Sequence, residues 1–223
     1  MSLEETKVEW DSNYFEEELT KRYLPQYGRK FYENITDVSG DILDVGCSDF
    51  GCFSEDIKTQ NNVRLIGLDI SKIALARATR RNFKFKSVNP ILGAAQDLPF
   101  KENSFDKVLC IETMMQTGRD YKKVLEELRR VSKGDIVLTF YHKDFAEKQG
   151  LLVKDNIAEY KRLDKTKKTI ATFNEDDVTG LMEEKGLEIK KMKTYTLEKL
   201  NTHEKNVPQE TKGVIYIECK KKS

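Results

Sequence analysis

The sequence is poor in the residues that build special scaffolds. Proline occurs four times, cysteine four times, histidine twice and tryptophan once in 223 residues. Even with the 12 glycines, proline plus glycine falls far below what low-complexity or collagen-like chains need. The cysteines Cys47, Cys52, Cys110 and Cys219 form no Cys-x-x-Cys pair, and His142 and His203 form no cluster. Neither a disulfide framework nor a metal site is therefore expected, and the cysteines read as structural thiols. No stretch approaches the about 18 apolar residues of a membrane helix. The start of the chain is acidic (Glu4, Glu5, Glu9, Asp11, Glu16, Glu17, Glu18), where a signal peptide needs a basic start and an apolar run. A cytoplasmic protein without membrane contact is expected.

An excess of charge of one sign is also missing. The net charge is +1, from 39 basic and 38 acidic residues. The spread is uneven, with 6 basic and 14 acidic groups in residues 1–60 but 15 and 9 in residues 61–140. That balance argues against a nucleic-acid binder. Two basic runs, Arg77-Arg80-Arg81-Lys84-Lys86 and Lys161-Arg162-Lys165-Lys167-Lys168, read as solvated faces or loops. Apolar residues make up 38% and charged residues 35% of the chain, and its length suits one domain with a sizeable core.

What is present is an alternation of periods. Short apolar runs at residues 41–46, 64–70, 91–95, 105–111 and 135–140 read as buried strands, and the segments between them carry helical signals. Ser71 caps a helix that runs through Ala78. In 118–132, Tyr121, Val124, Leu125, Leu128 and Val131 recur on one helical face. In 174–186, Asn174 is the N-cap, Glu175, Asp176 and Asp177 suit the positive end, and Gly186 is the stop. Strands at 187–197 and 213–219 finish the chain. The pattern predicts an α/β fold, a mostly parallel sheet with helices on both faces. Residues 1–40, with Trp10, Tyr14, Phe15, Tyr23, Tyr27, Phe31 and Tyr32, read as one or two amphipathic helices. Residues 141–173 form an insertion with a β-hairpin around Asp164-Lys165-Thr166-Lys167. A single domain over 1–223 is expected, with 1–40 as a helical lid and 141–173 covering the substrate site.

In an open parallel sheet, ligands bind beyond the carboxyl ends of the strands. That rule selects Gly46-Cys47-Ser48-Asp49-Phe50-Gly51, Asp69, Gln96-Asp97-Leu98, Glu112 and Tyr141-His142. The 46–51 loop lets a ligand approach backbone, and Asp69 offers acceptor oxygens to a ribose diol.

Asp44-Val45-Gly46-Cys47 after an apolar strand, Asp69 ending the next, Gln96-Asp97-Leu98-Pro99-Phe100 before Asn103-Ser104-Phe105-Asp106, and the helix of residues 124–131 resemble, in that order, the class I S-adenosylmethionine-dependent methyltransferases. The likeness covers roughly residues 38–140, the tail 174–219 matches the last helix and strand pair, and the small-molecule branch is nearest. The resemblance implies a Rossmann-like three-layer sandwich with a seven-stranded sheet and an antiparallel last strand. It implies S-adenosylmethionine as cofactor, S-adenosylhomocysteine as product and a small-molecule acceptor. Asp44 would orient the glycine loop. Gly46, Cys47, Ser48, Asp49 and Gly51 would face the methionine part, Asp69 with Ile70 the ribose, Asp97 with Leu98 the adenine, and Ile111 with Glu112 the region of the methyl group. One departure stands out: Ser48 and Phe50 replace two glycines of the family's Gly-x-Gly-x-Gly, with Gly51 one position later.

Such chemistry needs neither a catalytic triad nor a metal, because holding the nucleophile in line and close supplies most of the rate, about 7–11 kcal/mol. For a hydroxyl or amine acceptor, Glu112, His142 and Tyr141 are the candidate bases. Three other readings stand beside this one. A dehydrogenase is suggested by Asp69 lying 23 residues after Gly46 and by Tyr195-x-x-x-Lys199, although Gly-x-Gly-x-x-Gly is absent and 187–197 reads as a strand. A non-catalytic binding module is suggested by the altered loop. An RNA methyltransferase would use the basic runs, but Asn89-Pro90-Ile91 does not match a base-amino motif.

Overall fold

A computed structural model describes residues 3–15, 30–35, 38–161, 167–200 and 207–222. Tyr23, Tyr27 and the expected turn residues Asp164, Lys165 and Thr166 lie outside them. The described chain contains ten strands with helices between them, an α/β architecture of the Rossmann-like kind. Contacts gather it into two compact units, Met1–Leu109 with Arg130–Gly134, and Cys110–Arg129 with Asp135–Ser223.

The first unit holds α1 (Leu3–Phe15), β1 (Gly40–Val45), α2 (Glu55–Thr59), β2 (Val63–Asp69), α3 (Lys72–Asn82), β3 (Val88–Leu92) and β4 (Phe105–Cys110). The strands run parallel in the order β3-β2-β1-β4, with Val45 beside Leu68, Asp69 beside Leu92 and Asp44 beside Leu109. Their carboxyl ends therefore share one edge. Ser71 caps α3 by accepting from the Ala74 N–H, as expected, and the helix continues to Asn82 because Ala74, Leu75, Ala78 and Asn82 keep one face buried. β3 starts three residues earlier than expected and includes Pro90. Proline donates no ladder hydrogen bond and is tolerated on an edge strand, and among the described residues β3 pairs with β2 alone.

The second unit holds a 3-10 segment (Met114–Asp120), β5 (Ser132–His142), α5 (Lys143–Lys148), β6 (Val153–Lys154), β7 (Ile157–Lys161), β8 (Lys167–Phe173), α6 (Glu175–Glu184), β9 (Leu187–Thr196), α7 (Leu197–Leu200) and β10 (Lys212–Lys221). Between the 3-10 segment and β5 runs α4 (Tyr121–Val131), whose Val124, Leu125, Leu128 and Val131 are fully buried; the end of α4 and the start of β5, Arg130–Gly134, count with the first unit. β10 is antiparallel to β5 and to β9, the expected strand pair. The hairpin of residues 141–173 is present as β7 against β8. It is more than an insertion, because β8 also runs parallel to β5 through Tyr141–Thr172 and His142–Phe173. Phe173 locks that junction with edge-on ring contacts to Phe140 and Tyr121. β6, β7 and β8 are the strands beyond the seven expected. Asn174 caps α6 in a reciprocal box with Asp177. Among the described residues no helix is long and apolar enough to cross a membrane.

Candidate cofactor-binding and active site

The loop after β1 is built on left-handed backbone. Gly46 has φ +78°, Ser48 +51° and Phe50 +57°, so the three positions of the family's glycines all lie where L side chains are disfavoured by about 1–2 kcal/mol each. Ser48 and Phe50 thus adopt a backbone that glycine favours. Phe50 offsets its strain by burial: it is 1% exposed and packs near Phe53. Gly67 on β2 makes room for it, since a Cβ there would meet the Phe50 ring and the Cys47 side chain. Cys47 is buried, and desolvation pushes its thiol well up. Gly46 and Cys47 donate their N–H groups to the Leu68 carbonyl at 2.7 and 3.3 Å. Asp49 accepts from the Gly51 N–H and pairs with Arg81.

Asp69 ends β2 at 7% exposure. Its Oδ2 accepts from the Ser48 N–H and its Oδ1 from the Ser71 N–H, both at 2.9 Å. The acid thus joins the glycine-type loop to the start of α3. Burial raises its pKa, against the lowering by those N–H groups. A carboxylate has about four lone-pair sites, so acceptor capacity remains for a hydroxyl. Ile70 follows, half-buried, at the turn into α3. Asp11 of α1 reaches the same corner, accepting from the Ser71 hydroxyl at 2.6 Å and the Ile73 N–H at 3.3 Å.

Asp44 is buried on β1, where the Tyr32 hydroxyl donates to its Oδ1 at 2.8 Å. Burial raises the Asp44 carboxyl to about 7, with the Tyr32 bond opposing and the nearby Asp69 adding to the rise. After β3, Asp97 is exposed and Leu98 buried. Arg130 donates to the carbonyls of Leu98 and Phe100 at 2.9 and 2.6 Å, fixing that loop.

In the second unit, Ile111 is buried and Glu112 follows it with φ +57°. Glu112 donates its N–H to Thr139 Oγ1 at 2.7 Å, and the Thr139 hydroxyl donates to Glu112 Oε1 at 3.3 Å. Burial raises the Glu112 carboxyl to about 7, with the Thr139 bond opposing, which puts a proton acceptor near neutrality. His142 is placed differently. Its Nδ1 accepts from the Asp144 N–H, capping α5, and its Nε2 donates to Glu175 Oε2 at 3.1 Å. Burial would push Glu175 up, but bonds from Lys212, His142 and Thr194 outweigh it and hold the carboxyl down to about 2. Both His142 nitrogens are thus engaged in holding β5, α5 and α6 together. Met114 and Met115 are fully buried and serve as core.

Tyr32 and Asp11 are named in the sequence only for their aromatic and acidic character, and Arg130 and Thr139 not at all; none of the four is an expected site residue. Each acts through a partner far along the chain, and no local spacing marks it. Tyr195 sits on β9 and Lys199 on α7, so the pair does not share the helix a dehydrogenase requires.

Residues 43–140 match the family model described as a methyltransferase domain. An uncharacterised protein of Methanocaldococcus jannaschii is 38% identical over 117 residues, 52% of this chain and 46% of that one. A demethylmenaquinone methyltransferase of Oceanobacillus iheyensis is 28% identical over 152 residues, 60% of this chain and 63% of its own length. The chain thus spans about half to two thirds of the length of these relatives. A crystal structure of a SAM-dependent methyltransferase from Methanosarcina mazei superposes with TM-score 0.65 at 17% identity, covering 86% of this chain and 97% of that one. Residues 43–140 are thus similar to the methyltransferase-domain family, and the chain has the fold of the S-adenosylmethionine-dependent methyltransferases on which it superposes.

Proposed function

We propose that the chain transfers a methyl group from S-adenosylmethionine to a small-molecule acceptor. The observation that carries the reading is the loop of residues 46–51, whose left-handed turns at 46, 48 and 50 survive the loss of two glycines and tie directly to Asp69. A non-binding relative has no need to keep that strained backbone. The donor set fits the cofactor. In this reading Asp69 accepts from the ribose hydroxyls, with Ile70 beside them. The loop from Gly46 through Cys47, Ser48 and Asp49 to Gly51 presents backbone to the methionine part, and Asp44 holds the loop from below. Asp97 and the Leu98 backbone meet the adenine edge, and Ile111 and Glu112 lie toward the methyl group.

When bound, the cofactor supplies a methyl already activated by its sulfonium. The chain's part is to hold the acceptor close and in line and to remove its proton where it is a hydroxyl or amine. Glu112 is the proton acceptor in this proposal, poised by burial. His142 is given a positioning role, because both its nitrogens are committed. Residues 1–40 and 141–173 are the segments that would select the acceptor. Incubation with methyl-labelled S-adenosylmethionine and a fractionated cell extract tests the reading. Label in the small-molecule fraction, lost with Asp69→Ala, supports it. Label confined to RNA or protein overturns the acceptor class, and no transfer to any fraction overturns the activity.

A further inference from the structure

Glu112 occupies a position that its residue type does not favour. It lies two residues past the end of β4, it is not glycine, and its φ is +57°. Such a conformation persists only where its surroundings over-determine it. Among the described residues, one side chain meets Glu112 through both its backbone and its carboxylate. Thr139, on β5 and with no exposed surface, meets Glu112 at two points, accepting its backbone N–H at 2.7 Å and donating to its Oε1 at 3.3 Å. A hydroxyl carries one donor and two acceptor sites, and this one spends the donor and an acceptor on the same residue. Valine has the same shape as threonine and could make neither bond; serine could make both.

We propose that Thr139 is a positioning residue: its hydroxyl holds the backbone of Glu112 in the left-handed turn and aims its carboxylate as the acceptor of the substrate's proton. The role rests on the reading of Glu112 as proton acceptor. A bond donated to a carboxylate favours its ionised form, so the same hydroxyl opposes the rise caused by burial. Thr139 thereby sets both where the carboxylate points and the pH at which it becomes a base.

The test is a carbon-13 NMR titration of the full chain carrying side-chain-labelled glutamate, with the Glu112 signal assigned by its loss in Glu112→Gln. The wild-type carboxyl is expected to titrate near 7. Thr139→Val is expected to move that midpoint up by about one unit, and Thr139→Ser to return it to the wild-type value. Thr139→Ala, which removes the hydroxyl without adding a methyl, provides a second variant should the valine protein not fold, with the same upward shift expected. A midpoint unchanged in the valine or alanine protein, or shifted equally in the serine protein, overturns the proposal. Titration calorimetry of the same samples with S-adenosylhomocysteine reports separately on the cofactor reading: loss of binding in the wild type would sink that reading while the NMR midpoints still decide the role of Thr139.

Discussion

Two residues of the loop after β1 share a backbone conformation and differ in what their side chains contribute. Ser48 is only half-buried and gives its N–H to Asp69, so Ser48→Gly relieves left-handed strain while keeping the bond. Thermal unfolding should show a midpoint raised by a few degrees, as about 1 kcal/mol corresponds to about 2–4 °C at this chain length. Phe50→Gly relieves the same strain but empties a buried ring site beside Gly67. Its cost of about 3–5 kcal/mol for a lost buried phenylalanine exceeds the gain, and a lowered midpoint is expected. Glu112 adds a dependence on pH. Its carboxyl is raised from the usual value to about 7, so the folded state holds the proton more tightly than the unfolded one. The cost of ionising it is absent at acid pH, grows as pH rises through the ordinary glutamate range and is complete above about 7. Glu112→Gln should therefore match the wild type near pH 4 and be the more stable protein at pH 8, while losing transfer to acceptors that must shed a proton. Equal stability differences at both pH values would contradict the buried, raised carboxyl.

At the scale of elements, the sequence was legible wherever a local rule applied. The Asn174 cap, the acidic first turn of α6 and the left-handed Gly186 after its end were readable because capping is decided within a few residues. The apolar runs of β1, β2 and β4 were readable because buried parallel strands are apolar on both faces. β3 was misplaced by three residues because Asn89-Pro90 suggests a break, and edge position, which licenses the proline, is a property of the sheet. The pairing of β8 with β5 and the bond between Thr139 and Glu112 were beyond the sequence, since they join residues 31 and 27 positions apart. The same holds for Glu175, readable as helix-start acid but not as the hub of His142, Thr194 and Lys212. Its folded pKa is depressed to about 2, so its contribution is present above the ordinary glutamate range and lost as pH falls toward 2. Glu175→Gln should lower the unfolding midpoint at pH 7, with the deficit shrinking between pH 4 and pH 2. A deficit that persists at pH 2 would mean that the hub is steric rather than ionic.

At the scale of the molecule, the strand order of the first unit brings Asp44, Gly46, Asp69 and the 93–98 loop to the carboxyl ends of adjacent parallel strands. In a fold of this kind that edge is where ligands bind, whereas which acceptor is methylated depends on segments that the fold does not dictate. The central claim is accordingly about the cofactor. Isothermal titration of the full chain with S-adenosylhomocysteine and with NAD, repeated on Asp69→Ala, tests it most directly. Micromolar binding of S-adenosylhomocysteine that is lost in the variant, with no heat from NAD, is the expected result. Binding of NAD alone, or no binding of either by the wild-type protein, would contradict the account.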